Sequence, residues 1–311
     1  MKDNKIFVAG HKGMVGCATV KVFKEAGYHQ LITASRKELD LTIQSDVFDF
    51  FERERPDVVI LAAAKVGGIQ ANIDNPATFL LDNLQIQNNL ISASHRYGVK
   101  KFVFLGSSCI YPKECEQPMK EEMLMTGKLE PTNEGYALAK IAGLKLLEGM
   151  HRQFGMQSIS LMPCNLYGPN DSFDLNHSHV LSALIKRLTD AKDLGMKEIE
   201  LWGSGKAKRE FMHVEDCARA IHYMLNNYSS PEFVNIGWGE DVSIKQLAEL
   251  ILEELDYDVS IKWNTNKPDG MLRKCMDVTR MKDLGFEPTI TLREGVKQML
   301  ELYKTTKQEQ L

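Results

Sequence analysis

Three glycines, Gly10, Gly13 and Gly16, stand directly behind the apolar run Lys5–Ala9 and open the amphipathic stretch Met14–Ala26. A strand that ends on such a turn and passes at once into a helix is the first half of a β-α-β unit. The first glycine permits the tight turn. The second lets a diphosphate approach the backbone, and the third lets the helix pack closely on the sheet. The helix N-terminus then offers unpaired N–H groups and the positive end of its dipole to an anion. The spacing is G-x-x-G-x-x-G rather than the commoner G-x-G-x-x-G.

The same rhythm continues along the chain. Apolar runs at Leu31–Ala34, Val58–Ala62, Phe102–Leu105 and Ser158–Leu161 alternate with helical stretches at Ile43–Arg53, Pro76–Tyr97 and Asn133–Phe154. The runs show little polar alternation, as strands covered on both faces do. The order predicts an α/β fold built on a Rossmann-type doubly wound parallel sheet. After about residue 165 the rhythm loosens. Turn signals at Tyr167–Pro169, Gly203–Gly205 and Lys267–Gly270 surround helices near Val180–Ala191 and Ile244–Leu255. The expected division is a dinucleotide-binding domain over residues 1–165 and a smaller α/β substrate-binding lobe over most of 166–311, with segments returning to the main sheet.

Charge narrows the partners. The 38 basic and 42 acidic residues give a net charge of −4, which provides no general grip on nucleic acid or on an anionic membrane. An anionic ligand must be met by a few placed Arg and Lys side chains. No stretch approaches the ~18–20 apolar residues of a membrane span. The opening MKDNKIFVAG reads as a first strand and not as a signal peptide. Six cysteines without a C-x-x-C pair fit a reducing compartment and no metal site. The expected location is cytoplasmic.

The end of the second strand points to the cofactor. An NAD-binding chain places Asp or Glu there for the ribose 2′-hydroxyl. Here the residues are Ser35, Arg36 and Lys37. A guanidinium can hold a 2′-phosphate through several hydrogen bonds, so NADP(H) is expected over NAD(H). Lys12 adds a second cation within the glycine turn. Asp40 and Leu41 follow where an adenine contact would fall, and Ala62-Ala63-Ala64-Lys65 leaves room beside the third strand.

Tyr136-Ala-Leu-Ala-Lys140 places a phenol and an ammonium on one helix face. A nearby ammonium favours the phenolate, so the expected effect is a tyrosine pKa below its usual ~10. The pair can exchange a proton with a carbonyl or alcohol. Ser107, Ser108 and Cys109 lie at the C-terminal end of the fourth strand, the edge where parallel sheets bind ligands. Ser107 is suited to bond a substrate oxygen beside Tyr136. Glycine turn, strand-end serine and Tyr-x-x-x-Lys, in that order, form the plan of short-chain dehydrogenases/reductases.

The stretches Gly10–Gly16, Ala62–Gly68, Leu105–Pro112, Leu129–Asn133, Asn165–Pro169 and Trp202–Gly205 carry a closer likeness. Over residues 5 to 300 the chain resembles the GDP-L-fucose synthase family of extended short-chain dehydrogenases/reductases. The resemblance implies 3,5-epimerisation and 4-reduction of GDP-4-keto-6-deoxy-D-mannose. It places Tyr136, Lys140 and Ser107 at reduction, and Cys109 and His179 at the proton transfers of epimerisation. A thiol and an imidazole both exchange protons near neutral pH once tuned; which is acid and which is base stays open. His177 lies two residues from His179, and the family pattern matches His179. The cofactor would be held by Gly10, His11, Lys12, Gly13, Met14, Val15 and Gly16, by Arg36, Asp40 and Leu41, by Leu105, Gly106, Ser107 and Ser108, and by Lys140. Pro163, Cys164, Asn165, Leu166 and His179 would complete its site. Arg187, Trp202, Arg209 and Asp269 would bind the substrate nucleotide. A homodimer through the helices near Pro76–Tyr97 and Asn133–Phe154 is also implied. Two rivals are weighed here: another nucleotide-sugar epimerase or dehydratase, and an NADP-binding sensor without turnover. Arg36 and Cys109 argue against the first, and the set Ser107, Tyr136 and Lys140 against the second.

Overall fold

The computed structural model describes residues 2–174, 178–267 and 269–309. Four of the apolar runs become strands with little solvent access, while Leu31–Ala34 keeps only a two-residue, half-buried strand. β1 (Ile6–Ala9) is buried throughout and passes through the Gly10 turn into α1 (Met14–Glu25). β2 (Leu31–Ile32), α2 (Gln44–Glu54), β3 (Val58–Leu61), α3 (Ile69–Asp74), α4 (Pro76–Arg96) and β4 (Lys101–Leu105) follow. α5 (Glu134–Phe154), β5 (Ser158–Pro163) and β6 (Asn165–Tyr167) lead into α6 (Val180–Asp193). Then come β7 (Glu198–Trp202), β8 (Lys208–His213), α7 (Val214–Asn227), β9 (Val234–Ile236) and β10 (Asp241–Ser243). α8 (Ile244–Leu255), β11 (Ser260–Asn264), β12 (Arg273–Lys274), α9 (Thr279–Asp283) and α10 (Leu292–Glu309) complete the described chain.

Among the described residues six strands form one parallel sheet in the order β2-β1-β3-β4-β5-β9. The chain leaves β1 in one direction and returns in the other at β3. The crevice beyond the strand C-termini at that reversal is where such sheets bind ligands. Phe7, Val59, Phe102 and Ile159 are buried at the centre of its core. β9 joins this sheet from far along the chain, with Leu161 opposite Val234 and Pro163 opposite Ile236.

A second apolar core gathers Leu184, Leu188, Leu247, Ile251, Val296 and Met299 from α6, α8 and α10. Beside it β8 pairs with β6 and β12 in parallel and with β10 antiparallel, while β7 pairs with β11. β7 shows the period-two burial of a half-covered strand. Local chemistry fixes the helix ends. Ser243 and Gln246 form a reciprocal capping box at the start of α8. Gly155 ends α5 in the left-handed conformation, with φ +70°. Among the described residues no helix is long and apolar enough to cross a membrane.

Candidate active site

A cavity of about 700 Å³ opens along the C-terminal edge of the parallel sheet. One end is the glycine turn, where Gly10, Gly13, Met14 and Val15 line the wall. The glycines are required by geometry. A Cβ on Gly10, at φ +88°, would lie 2.6 Å from the Ala63 nitrogen. A Cβ on Gly16 would lie 2.1 Å from the Gly10 carbonyl oxygen, so its absence lets α1 seat against the turn. What remains is a bare backbone cradle at a helix N-terminus, the shape and polarity that suit a dinucleotide diphosphate. Gly16 therefore packs beneath the turn. Lys12 is exposed, and the Nδ1 of His11 is buried without a partner.

Arg36, Asp40 and Leu41 line the cavity beyond β2. The Arg36 side chain is 73% exposed, and its Nε lies 3.6 Å from Asp40. Such an exposed cation is free to meet a second anion in solvent. Two hydrogen bonds from Thr42 are the main reason that the Asp40 carboxyl is held below the usual range, with Arg36 adding to them. Leu105, Gly106, Ser107, Ser108 and Pro163, Cys164, Asn165 and Leu166 line the next stretch.

The far end collects the reactive groups. Ser107, Cys109, Tyr136, Lys140 and His179 all line the same cavity. Lys140 is buried, and its Nζ donates to the Leu105 carbonyl at 2.8 Å. Burial pushes its ammonium down to about 8. Burial also pushes the Tyr136 phenol well above its usual value; a negative charge on Cys109 adds to this, and the bond with Ser107 opposes it. This reverses the lowered tyrosine pKa expected from Tyr-x-x-x-Lys. The Lys140 Nζ, 5.6 Å from the ring centre, donates to a carbonyl, and desolvation is the largest effect on the phenol. Tyr136 is a neutral phenol at neutral pH, and so a proton donor.

Cys109 sits in the turn that follows β4, with Ser107 capping its backbone N–H at 3.2 Å. Burial opposes ionisation of the thiol. The Lys274 ammonium 3.3 Å away, the Ser107 hydroxyl and the Asn133 amide 3.2 Å away outweigh it and hold the thiol below its usual range. His179 caps α6 and turns Nδ1 toward Asp171 at 3.2 Å. The hydrogen bond to Asp171, against the opposing effect of burial, raises the imidazole pKa. Ser182 donates to the other Asp171 oxygen at 2.5 Å and so fixes the carboxylate. His177 lies outside the described residues.

His11, Lys12 and Gly16 of the glycine turn do not line this cavity, and neither do the four residues expected to bind the substrate nucleotide. Those four form a cluster on the second core's side. Trp202 is 54% exposed, with Arg187 at 5.4 Å and Lys267 at 4.9 Å from its ring centre. Arg209 donates to the Asp269 carbonyl at 2.9 Å. Both Asp269 carboxylate oxygens accept from Ser204, through its backbone N–H at 2.8 Å and its hydroxyl at 2.7 Å. Asp269 thus pins the Gly203–Gly205 turn.

Sequence reasoning missed three partners. Asp171 lies eight residues before His179, and Lys274 lies 165 residues after Cys109. Asn133 ends a recognised stretch, but nothing in that stretch says its amide meets the Cys109 sulfur. Only Asp171 had a local signal, as a carboxylate shortly before a histidine. Among the described residues no cluster of His, Cys, Asp or Glu could hold a metal.

A parallel sheet with a glycine cradle and a Ser-Tyr-Lys set at its C-terminal edge is the framework of a dinucleotide-dependent oxidoreductase. Residues 6–237 match the model of the NAD dependent epimerase/dehydratase family, and the chain belongs to that family. Within it, the chain is 51% identical to GDP-L-fucose synthase 1 of Arabidopsis thaliana over 302 residues, 97% of this chain and 94% of that one. Among solved structures it is similar to a gdp-l-fucose synthetase from Naegleria fowleri bound to NADP, with TM-score 0.90, 27% identity, and 99% and 96% of the two chains covered. It is also similar to a GDP-6-OMe-4-keto-L-xylo-heptose reductase from C. jejuni, with TM-score 0.92, 35% identity, and 98% and 99% covered.

Proposed function

We propose that the chain is a bifunctional epimerase-reductase that converts GDP-4-keto-6-deoxy-D-mannose to GDP-L-fucose with NADPH. One observation carries the reading. An activated thiol and a carboxylate-backed imidazole open onto the same cavity as a half-buried neutral phenol. A simple reductase needs only the phenol and its neighbours. The extra thiol and imidazole serve inversion beside a ketone.

The glycine turn, Arg36 with Asp40 and Leu41, Leu105–Ser108, Lys140 and Pro163–Leu166 are the residues that hold NADPH. Arg36 would meet the 2′-phosphate. When bound, NADPH supplies the hydride that reduces the C4 ketone.

Cys109, as the thiolate, takes the proton from the carbon beside the ketone, and that C–H electron pair passes to the carbonyl oxygen. His179, as the imidazolium, returns a proton to the opposite face. The directions of their pKa displacement support this division: the thiol ionises more readily and the imidazole keeps its proton longer. Tyr136 donates its phenolic proton to the C4 oxygen during reduction, and Ser107 bonds the same oxygen. Lys140 lies beside the phenol and holds the strand-end backbone.

The substrate nucleotide belongs to the lobe formed by most of residues 166–311, with Trp202 as the aromatic surface and Arg187 and Arg209 for the diphosphate. A homodimer through α4 and α5 is supported by Leu81, Leu138 and Phe154, which leave large apolar side chains in solvent. A cytoplasmic location fits free thiols. The test is to supply the purified protein with GDP-4-keto-6-deoxy-D-mannose and follow NADPH and NADH consumption in parallel. NADPH loss with GDP-L-fucose as product supports the reading. Binding of NADPH without consumption overturns it.

A further inference from the structure

Cys109 and Lys274 come from opposite sides of the site. Cys109 follows β4 of the parallel sheet, and Lys274 ends β12 of the sheet built around β8. The Lys274 Nζ donates to the Cys109 sulfur at 3.3 Å. Its reach is fixed by the backbone around it. Lys274 is in register with Arg209 on β8, the Cys275 N–H donates to Gln117 at 2.9 Å, and the Met276 N–H donates to the buried Glu210 at 2.9 Å. A surface lysine on a free stem would have none of these constraints.

We propose that Lys274 is a positioning residue for Cys109, an ammonium carried by the second lobe that holds the sulfur as the anion needed to take a proton from the substrate. The proposal rests on the epimerase reading of Cys109. In the step it serves, the C–H bond breaks, the proton forms the S–H bond, and the electron pair moves to the ketone oxygen. Lys274 itself exchanges nothing.

Other groups face the sulfur, and they divide the work. Asn133 donates from the turn ahead of α5 at 3.2 Å, and the Ser107 hydroxyl donates from the sulfur's own turn. Both are neutral. Tyr136 of α5 is a neutral phenol whose ionisation a thiolate would oppose. Arg209 of β8 is coupled to Cys109 by charge, but its guanidinium donates to the Lys208 and Asp269 carbonyls. Among the described residues Lys274 is the cation in contact with the sulfur. A full charge next to a thiolate acts more strongly than a neutral donor at the same distance.

The test reads the thiol directly and needs no sugar nucleotide. The NADPH-loaded protein is alkylated with iodoacetamide across pH, and modification of Cys109 is followed by peptide mass, which separates it from the other five cysteines. The variants are Lys274→Met, Lys274→Arg and Asn133→Ala. Lys274→Met should move the alkylation midpoint upward by about one pH unit, slowing modification at neutral pH about tenfold. Lys274→Arg should restore most of the wild-type profile, because it returns the charge. Asn133→Ala should move the midpoint less than Lys274→Met. A wild-type profile in Lys274→Met overturns the proposal, and so does a Lys274→Arg profile that matches Lys274→Met. Should Lys274→Met fail to bind NADPH, Lys274→Gln carries the same comparison. If the wild type does not turn over the sugar nucleotide while Lys274→Met still shifts the thiol, the function assignment fails and the ion pair stands.

Discussion

The Lys140 ammonium lies 5.6 Å from the centre of the Tyr136 ring and donates to the Leu105 carbonyl at 2.8 Å. Desolvation of the phenol, not this ammonium, sets the direction of the Tyr136 displacement and favours the protonated form. That is the state a reductase needs, because the ketone oxygen must receive a proton as it accepts hydride. Tyr136→Phe removes the donor and leaves the ring. Reduction should fall by about 10²–10⁴-fold, with NADPH affinity nearly unchanged. NADPH consumption and fluorescence titration check the two halves separately.

The same pair gives a pH dependence. The Lys140 pKa is pushed down to about 8 by burial, so its charge is present below that pH and lost as pH rises through it. The reduction rate at saturating NADPH should show a descending alkaline limb near pH 8. Lys140→Met should lower the rate and remove that limb. A limb that survives in Lys140→Met belongs to another group.

His179 titrates in the opposite sense. Asp171 raises its pKa, so the imidazolium persists to higher pH than a free histidine. Asp171→Asn removes the charge that retains the proton, and the alkaline limb of epimerisation should move to lower pH. Solvent deuterium exchange into the substrate, measured across pH without NADPH, reads this limb apart from reduction. An unmoved limb would show that Asp171 does not act on His179.

Arg36 should decide between cofactors. Arg36→Ala deletes charge-assisted hydrogen bonds worth about 1.5–3 kcal/mol. The Michaelis constant for NADPH should rise roughly ten- to hundredfold by that figure, and that for NADH should hardly change. Equal losses with both cofactors would place Arg36 in the fold rather than at the 2′-phosphate.

Gly16→Ala tests the cradle. The added Cβ meets the Gly10 carbonyl oxygen at 2.1 Å, so α1 or the turn must shift. Overpacking of this kind costs about 1–3 kcal/mol, visible as a lower Tm and weaker NADPH binding together. Unchanged binding would mean that the turn does not hold the diphosphate.

The first half of the chain was legible because each element there follows one period. β1, β3, β4 and β5 are buried on both faces and read as unbroken apolar runs, and α4 and α5 span nearly the stretches expected of them. Beyond β6 the elements are short, and their pairing is non-local. β9 has three residues, and only its register with β5 makes it a strand of the main sheet. Ser107, Tyr136 and Lys140 were legible from motif order and spacing, whereas only the family resemblance singles out Cys109 and His179. Their electrostatic partners were not legible. Lys274 reaches Cys109 through the pairing of β12 with β8, and no local pattern encodes that contact. The sign of the Tyr136 displacement was also hidden, because spacing reports which groups share a face and not how far water is excluded.

The central claim is that one cavity performs both epimerisation and reduction. The most direct measurement is to run the reaction in D2O with unlabelled NADPH and locate deuterium in the product. The account predicts solvent deuterium at both C3 and C5 and protium delivered to C4. Cys109→Ser should lose the C3 and C5 label while ketone reduction continues. A wild-type product that is reduced at C4 but carries no solvent deuterium at C3 or C5 would contradict it.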